Sequence, residues 1–155
     1  MTPGRDLIRL DVAGTAVFVV TAVVEAIVLD WTRPPAVAVA LVLFATGCVL
    51  FLAGYARAVD RSRTDELSVA GLYLLSGDVA PVRVKRVLLG LLAVQVLVAL
   101  ATAIARPYTT VAFGILVPMF GIGVIGTWAA RHGTFPPRQT LAPKRRRAAR
   151  DGHVP

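Results

Sequence analysis

Twenty-two consecutive residues, Pro35 to Ala56, carry no charged side chain. A helix of that length crosses the hydrocarbon core of a bilayer, which is about 30 Å thick. Three more apolar runs approach or match that length: Val12 to Leu29, which holds one charge, Glu25, and the uncharged runs Val87 to Ala105 and about Tyr108 to Ala130. The first is the shortest. Its eighteen residues cover about 27 Å as a helix, and the turns back to Leu7 can complete the span. None of the runs is long enough to cross twice. A soluble fold mixes charge into every exposed helix face, whereas here charge is segregated into the connections and the tail. That segregation points to lipid as the solvent. Composition agrees: 56% of the residues are apolar and 17% charged, with a mean hydropathy of +0.70.

The pattern predicts an all-α polytopic membrane protein with four transmembrane helices arranged as two helical hairpins. The expected spans are about 10–30, 35–56, 86–105 and 108–130. Residues 1–131 form the membrane domain and 132–155 a basic cytoplasmic tail, partly disordered. Arg5 and Arg9 before the first run also fit a signal peptide, but the run is long for one. Asp30-Trp31-Thr32-Arg33 is no small-residue cleavage site, so a retained anchor helix is expected.

Orientation follows from the basic residues. Of the 17 Lys and Arg, only Arg33 and Arg106 fall in the two short connections within the hairpins. The others sit at the N-terminus, in the central connection and in the tail, a side assigned to the cytoplasm. Both short connections contain proline, which suits the first turn of the following helix. Trp31, Tyr55, Tyr108 and Trp128 fall near span ends, where amphipathic rings favour the headgroup level. A shift of 73 residues maps Arg33-Pro34 onto Arg106-Pro107 and Tyr55 onto Trp128, a faint sign of a duplicated hairpin.

A short interfacial helix is expected at about 65–76 in the central cytoplasmic loop. Thr64 would cap it, Asp65 and Glu66 would occupy its first turn, and Gly77 would stop it. It can lie in the interface or tuck against the bundle. Its apolar residues surround most of the helix, which favours the second placement.

The net charge of +8 and the pI near 11 raise nucleic acid as a partner. The basic residues lie in short segments between apolar runs, so no nucleic acid is expected. Lys144-Arg145-Arg146-Arg147 can contact anionic lipid, at about 1 kcal/mol per charge near the surface. The lone Cys48 has no disulfide partner. His132 and His153 stand without companions at ligand spacing, so no metal is expected. No nucleophile–base pair or paired carboxylates are visible, and neither enzymatic activity nor a cofactor is expected.

Gly121-Ile122-Gly123-Val124-Ile125-Gly126 matches the dinucleotide fingerprint in letters only, because it lies inside an apolar run without a preceding strand. Its glycines point to close helix packing, as do the pairs Gly47 and Gly54, and Gly114 and Gly121, each two turns apart. Pro118 removes a backbone hydrogen bond midway along the fourth run. It reads either as a packing kink or as a hinge. Glu25 is the one charge inside the first run. It can pair with Arg106 or Arg33, carry protons or a cationic substrate, or contact a partner. Gln95 and Thr102, seven apart, are expected to hydrogen-bond to neighbouring helices.

Val111 to Gly121, followed by Ala130-Arg131-His132-Gly133-Thr134-Phe135-Pro136-Pro137-Arg138, resembles uncharacterised small four-helix membrane proteins of actinobacteria. The resemblance covers about the last third of the chain. It implies a bacterial plasma membrane and brings no activity or site residues. The expected function is that of a small non-enzymatic membrane protein, an accessory or scaffold subunit that binds other membrane proteins or its own copies. The rival is a small transporter or channel built on Glu25, Gln95 and Pro118.

Overall fold

A computed structural model describes residues 4–27, 33–105 and 110–138. It is all-helical, with α1 at Arg5–Ile27, α2 at Arg33–Arg61, α3 at Val69–Leu74, α4 at Val82–Ala105, a 3₁₀ segment at Thr110–Leu116 and α5 at Pro118–His132. Among the described residues, four helical stretches are long and apolar enough to cross a membrane: Arg5–Glu25, Ala36–Arg61, Val82–Ala105 and Phe113–His132.

The four are unequal. The stretch containing α5 is 67% buried inside the protein, against 28%, 11% and 17% for the other three. α5 is therefore the axis of the bundle, and the others shield it. Its contact with α2 runs through glycine. A Cβ on Gly47 would lie 2.6 Å from the Phe120 backbone, and one on Gly54 would lie 2.9 Å from that of Gly126 and Thr127. A Cβ on Gly123 would strike the Gly47 carbonyl oxygen. Apolar side chains gain nothing by leaving lipid, so backbone proximity and interhelical hydrogen bonds are what hold such helices together. Thr127 supplies one of these bonds, its hydroxyl donating to the Leu50 carbonyl at 2.7 Å.

One end of the bundle gathers the start of α1 and the end of α5. Gly4, at φ +73°, lies against the Trp128 indole and the His132 ring, where a side chain would collide with Trp128. Trp128 is fully buried and its ring centroid lies 5.7 Å from that of His132. On the axial helix even an aromatic near the span end thus faces protein. Tyr55, its counterpart in the suggested duplication, is 56% exposed. Arg33-Pro34 opens α2, with prolines in its first turn as expected, whereas Trp31, Tyr108 and Arg106-Pro107 lie outside the described residues, as does the section of tail expected to be disordered.

At the same end, the chain after α5 docks onto the central connection. Glu66 N–H donates to the Pro136 carbonyl at 2.9 Å and Arg138 N–H to that of Thr64 at 2.8 Å. Thr134 N–H reaches the Val79 carbonyl at 3.0 Å, and its hydroxyl reaches that of Asp78 at 2.7 Å. This pairing takes Thr64 to Glu66 out of the expected helix. α3 instead starts after Ser68, whose hydroxyl oxygen accepts from Gly71 N–H at 2.9 Å. It ends at Leu75, a fully buried residue in the left-handed region at φ 51°. Leu72 and Leu75 enter the core beside Trp128 and Phe135. Tyr73 stacks on Phe51 with centroids 4.7 Å apart and covers Gly126. α3 thus packs on protein along one side, while Val69 and Leu74 stay exposed on the other.

Candidate functional site

Among the described side chains of α1, the buried ones are Asp11, Thr15, Phe18, Ala22 and Glu25. Alternating spacings of four and three put all five on one helical face. Val12, Val17, Val20, Val23 and Val24 are exposed on the remainder. The polarity is inverted relative to a soluble helix: three of the five inward residues are polar.

Asp11 and Thr15 meet Gln95 of α4, and all three are almost completely enclosed. Gln95 Nε2 donates to Asp11 Oδ1 at 3.2 Å and to Thr15 Oγ1 at 2.7 Å. Its Oε1 accepts from the backbone N–H of Gly121 in α5 at 3.2 Å. Every polar atom of the Gln95 amide is therefore engaged, and the backbone N–H at its far end fixes which way round the amide lies. Gly121 has a particular reason to be glycine, since a Cβ there would come within 2.6 Å of Gln95 Oε1. Asp11 Oδ2, by contrast, has no hydrogen-bond partner among the described residues.

Pro118 helps to create this contact. The fourth apolar stretch is not one kinked α-helix: it runs as a 3₁₀ segment to Leu116 and begins again as α5 with Pro118 at the first helical position. Val117 N–H donates to the Gly114 carbonyl at 3.1 Å and Phe120 N–H to that of Val117 at 2.8 Å, both tight three-residue bonds. Proline needs no N–H partner there, and the new first turn presents its N–H groups to side chains.

Glu25 lies toward the other end, 6% exposed. It lines a cavity of about 20 Å³ with Thr21, Thr102, Phe113 and Gly114, which has room for about one water. The Thr102 hydroxyl, expected to bond across helices, donates within α4 to the carbonyls of Val98 and Ala99, both at 2.9 Å. A threonine hydroxyl can satisfy itself on its own helix, which Gln95 cannot. Phe18, Ala99 and Val117, each at most 4% exposed, separate this cavity from the Asp11 cluster. A Cβ on Gly114 would meet only ordinary contacts, 3.4 Å or more from Thr102 and Phe18.

The structure thus brings Gln95 and Gly121 together and places Glu25 and Thr102 in a separate cluster. Gly47 and Gly54 lie at the α2–α5 contact. Arg106, the side chain of Arg33 and the residues Lys144, Arg145, Arg146 and Arg147 lie outside what is described. No group of metal-ligating side chains occurs among the described residues.

No protein-family model, curated protein or solved structure matches the chain. The site therefore has to be read from its own chemistry. The sequence does not single out Asp11 and Thr15 as site residues, because Asp11 stands directly before the apolar run that begins at Val12. α1 in fact starts at Arg5, so Asp11 lies inside the helical stretch and Glu25 is not its only buried carboxylate. The spacing of four between Asp11 and Thr15 was the available signal.

Proposed function

We propose that this chain is an accessory or scaffold subunit of the bacterial plasma membrane that acts by binding other membrane proteins. Its N- and C-termini lie in the cytoplasm, on the side of the basic connections. The observation that carries the reading is the contrast between a closed interior and an open flank. Inside, α2 and α5 touch backbone to backbone, and the cavity beside Glu25 holds only about 20 Å³. Outside, α1 and α2 leave an apolar groove of about 350 Å³ lined by Ala13, Gly14, Ala38 and Val42, among others. Small residues on a helix pair let another helix come close. The resemblance of the last third of the chain to small actinobacterial membrane proteins supports the same address.

The test is native mass spectrometry of the full chain, extracted gently from its own membrane. A defined complex of fixed stoichiometry, lost in Ala38→Leu, is the expected result. A bare monomer in both proteins overturns the reading.

A second reading is favoured by a specific observation: Asp11 and Glu25 share one buried face of α1 with an apolar plug between them. Intramembrane carboxylates recur in ion and proton pathways. A small transporter would lose its transport in Glu25→Gln while keeping its assembly. The tail residues Lys144 to Arg147 add contact with anionic lipid to either reading, and their removal should abolish any lipid preference.

A further inference from the structure

Asp11 is fully enclosed, with Oδ1 held by one amide donor and Oδ2 held by no donor among the described residues. The apolar stretches of the helices around it offer no charge to balance a carboxylate. The charges of these helices sit at their ends, Arg57, Asp60 and Arg61 on α2, Arg83, Lys85 and Arg86 on α4, and Arg131 and His132 on α5. Pro35 to Ala56 of α2, Val87 to Ala105 of α4 and Pro118 to Ala130 of α5 contain no charged residue. On α1 itself, Arg9 is 71% exposed and turned to Asp6, 4.0 Å away. From α1 the cluster receives Thr15, from α4 Gln95 and from α5 the Gly121 N–H. Asp11 makes no ion pair among the described residues.

Two occupants could relieve such a carboxyl group, a metal cation or a proton. The cluster rejects the first. A cation needs oxygens turned toward it, but the Gln95 amide turns its N–H₂ to Asp11 and Thr15. It is held that way because Oε1 is engaged by Gly121 N–H. Turning the amide round would leave that backbone N–H buried and unpaired. A proton fits: it bonds covalently to Oδ2, removes the charge and leaves Oδ1 free to accept from Gln95. Burial without an ion pair favours the uncharged form of any ionisable group.

We propose that Asp11 is a proton-binding site at the α1–α4–α5 junction, occupied by a proton on Oδ2 while the bundle is closed. Water supplies the proton and takes it back when α1 separates from α4. Closing again over the ionised carboxylate would bury an unbalanced charge, so bundle closure and proton uptake at Asp11 are coupled. The site is independent of the subunit reading, because it concerns the interior and not the lipid-facing groove.

Infrared spectroscopy of the full chain in lipid nanodiscs at neutral pH tests this, with and without aspartate labelled with ¹³C in its carboxyl group. The expected result is a carbonyl band of a protonated carboxylic acid that shifts on aspartate labelling and is lost in Asp11→Asn. Absence of an aspartate-shifted acid band, or its persistence in Asp11→Asn, overturns the proposal. If Asp11→Asn does not fold, Gln95→Leu serves instead. Loss of the donor to Oδ1 must move the band, and an unmoved band likewise overturns the assignment.

Discussion

The Arg61 guanidinium lies 3.2 Å from the carbonyl oxygen of Gly133 through both terminal nitrogens, so the last residue of α2 closes the end of α5. It also donates to the Ala130 carbonyl at 3.1 Å. It grips Asp65 through Nε at 3.1 Å and Nη2 at 2.9 Å, and sits 5.3 Å from the centre of the Phe135 ring. Helix C-termini leave carbonyls without partners and carry partial negative charge. One planar cation satisfies both demands and, through Asp65 and Phe135, ties the post-α5 chain to the central connection.

Arg61→Ala should therefore destabilise the folded protein by about 2 kcal/mol, the range for hydrogen bonds to charged groups. Arg61→Lys should recover less than half of that, since an ammonium cannot reproduce the fork. Thermal melting in nanodiscs, followed by Trp128 fluorescence, measures both. Equal stability of Arg61→Lys and the unmutated chain would show that charge alone matters.

The glycines divide by what stands opposite them. At Gly47 an added Cβ meets backbone at 2.6 Å, and backbone cannot turn aside as a side chain can. Gly47→Ala should force α2 away from α5 and cost about 3 kcal/mol or more, at the upper end of overpacking effects. Gly114→Ala meets only side-chain atoms at 3.4 Å or beyond, and Gly90→Ala meets nothing within 4 Å. Both should change the melting temperature little, with Gly90→Ala neutral or slightly stabilising through helix propensity. A uniform loss across all three would mean that glycine flexibility, not close approach, is what the bundle needs.

The helices were legible in the sequence because lipid demands long uncharged runs, and Pro35 to Ala56 is unmistakable on that ground. The faces were less so. Periodicity arguments assume an apolar stripe toward the core, and α1 reverses this with Asp11, Thr15 and Glu25 inward and valines outward. The docked chain from Thr134 to Arg138 was visible only as a motif without a role. Its bonds go to Thr64, Glu66 and Val79, which are remote in sequence. The capping signal at Thr64 was sound local chemistry, overridden by that pairing. Gln95 stood out because an amide in an apolar run has to find partners, yet nothing local could say that they would be Asp11 and Gly121.

The Gln95 cluster should show the asymmetry between unmaking a hydrogen bond and never having it. Gln95→Leu leaves the Asp11 carboxyl, the Thr15 hydroxyl and the Gly121 N–H enclosed without their partner. The expected cost is about 3 kcal/mol. Replacing both partners, in Asp11→Leu with Gln95→Leu, removes the stranded carboxyl group as well as its donor. The double variant should cost clearly less than the two single variants added together, a coupling of about 1 kcal/mol or more. Strict additivity in denaturant unfolding would mean that the two side chains do not act as a unit.

Tyr73 carries the last prediction. Its hydroxyl is buried and has no hydrogen-bond partner among the described residues, and burial, with a smaller contribution from nearby Tyr55, raises its pKa above the ordinary phenol value of 10.0. Above that pH the unfolded chain gives up the phenolic proton while the folded one keeps it. The unfolded state then binds fewer protons, so stability falls as pH rises. The contribution is complete below about pH 10 and is lost as the pH climbs through the raised value. Tyr73→Phe keeps the stacking on Phe51 and removes the unpaired hydroxyl. At neutral pH it should be neutral or stabilising by up to about 1 kcal/mol, and the alkaline decline should be shallower. Chemical unfolding at several pH values, from neutral upward, gives both readings. A Tyr73→Phe variant that is less stable at neutral pH would mean that the hydroxyl has a partner after all.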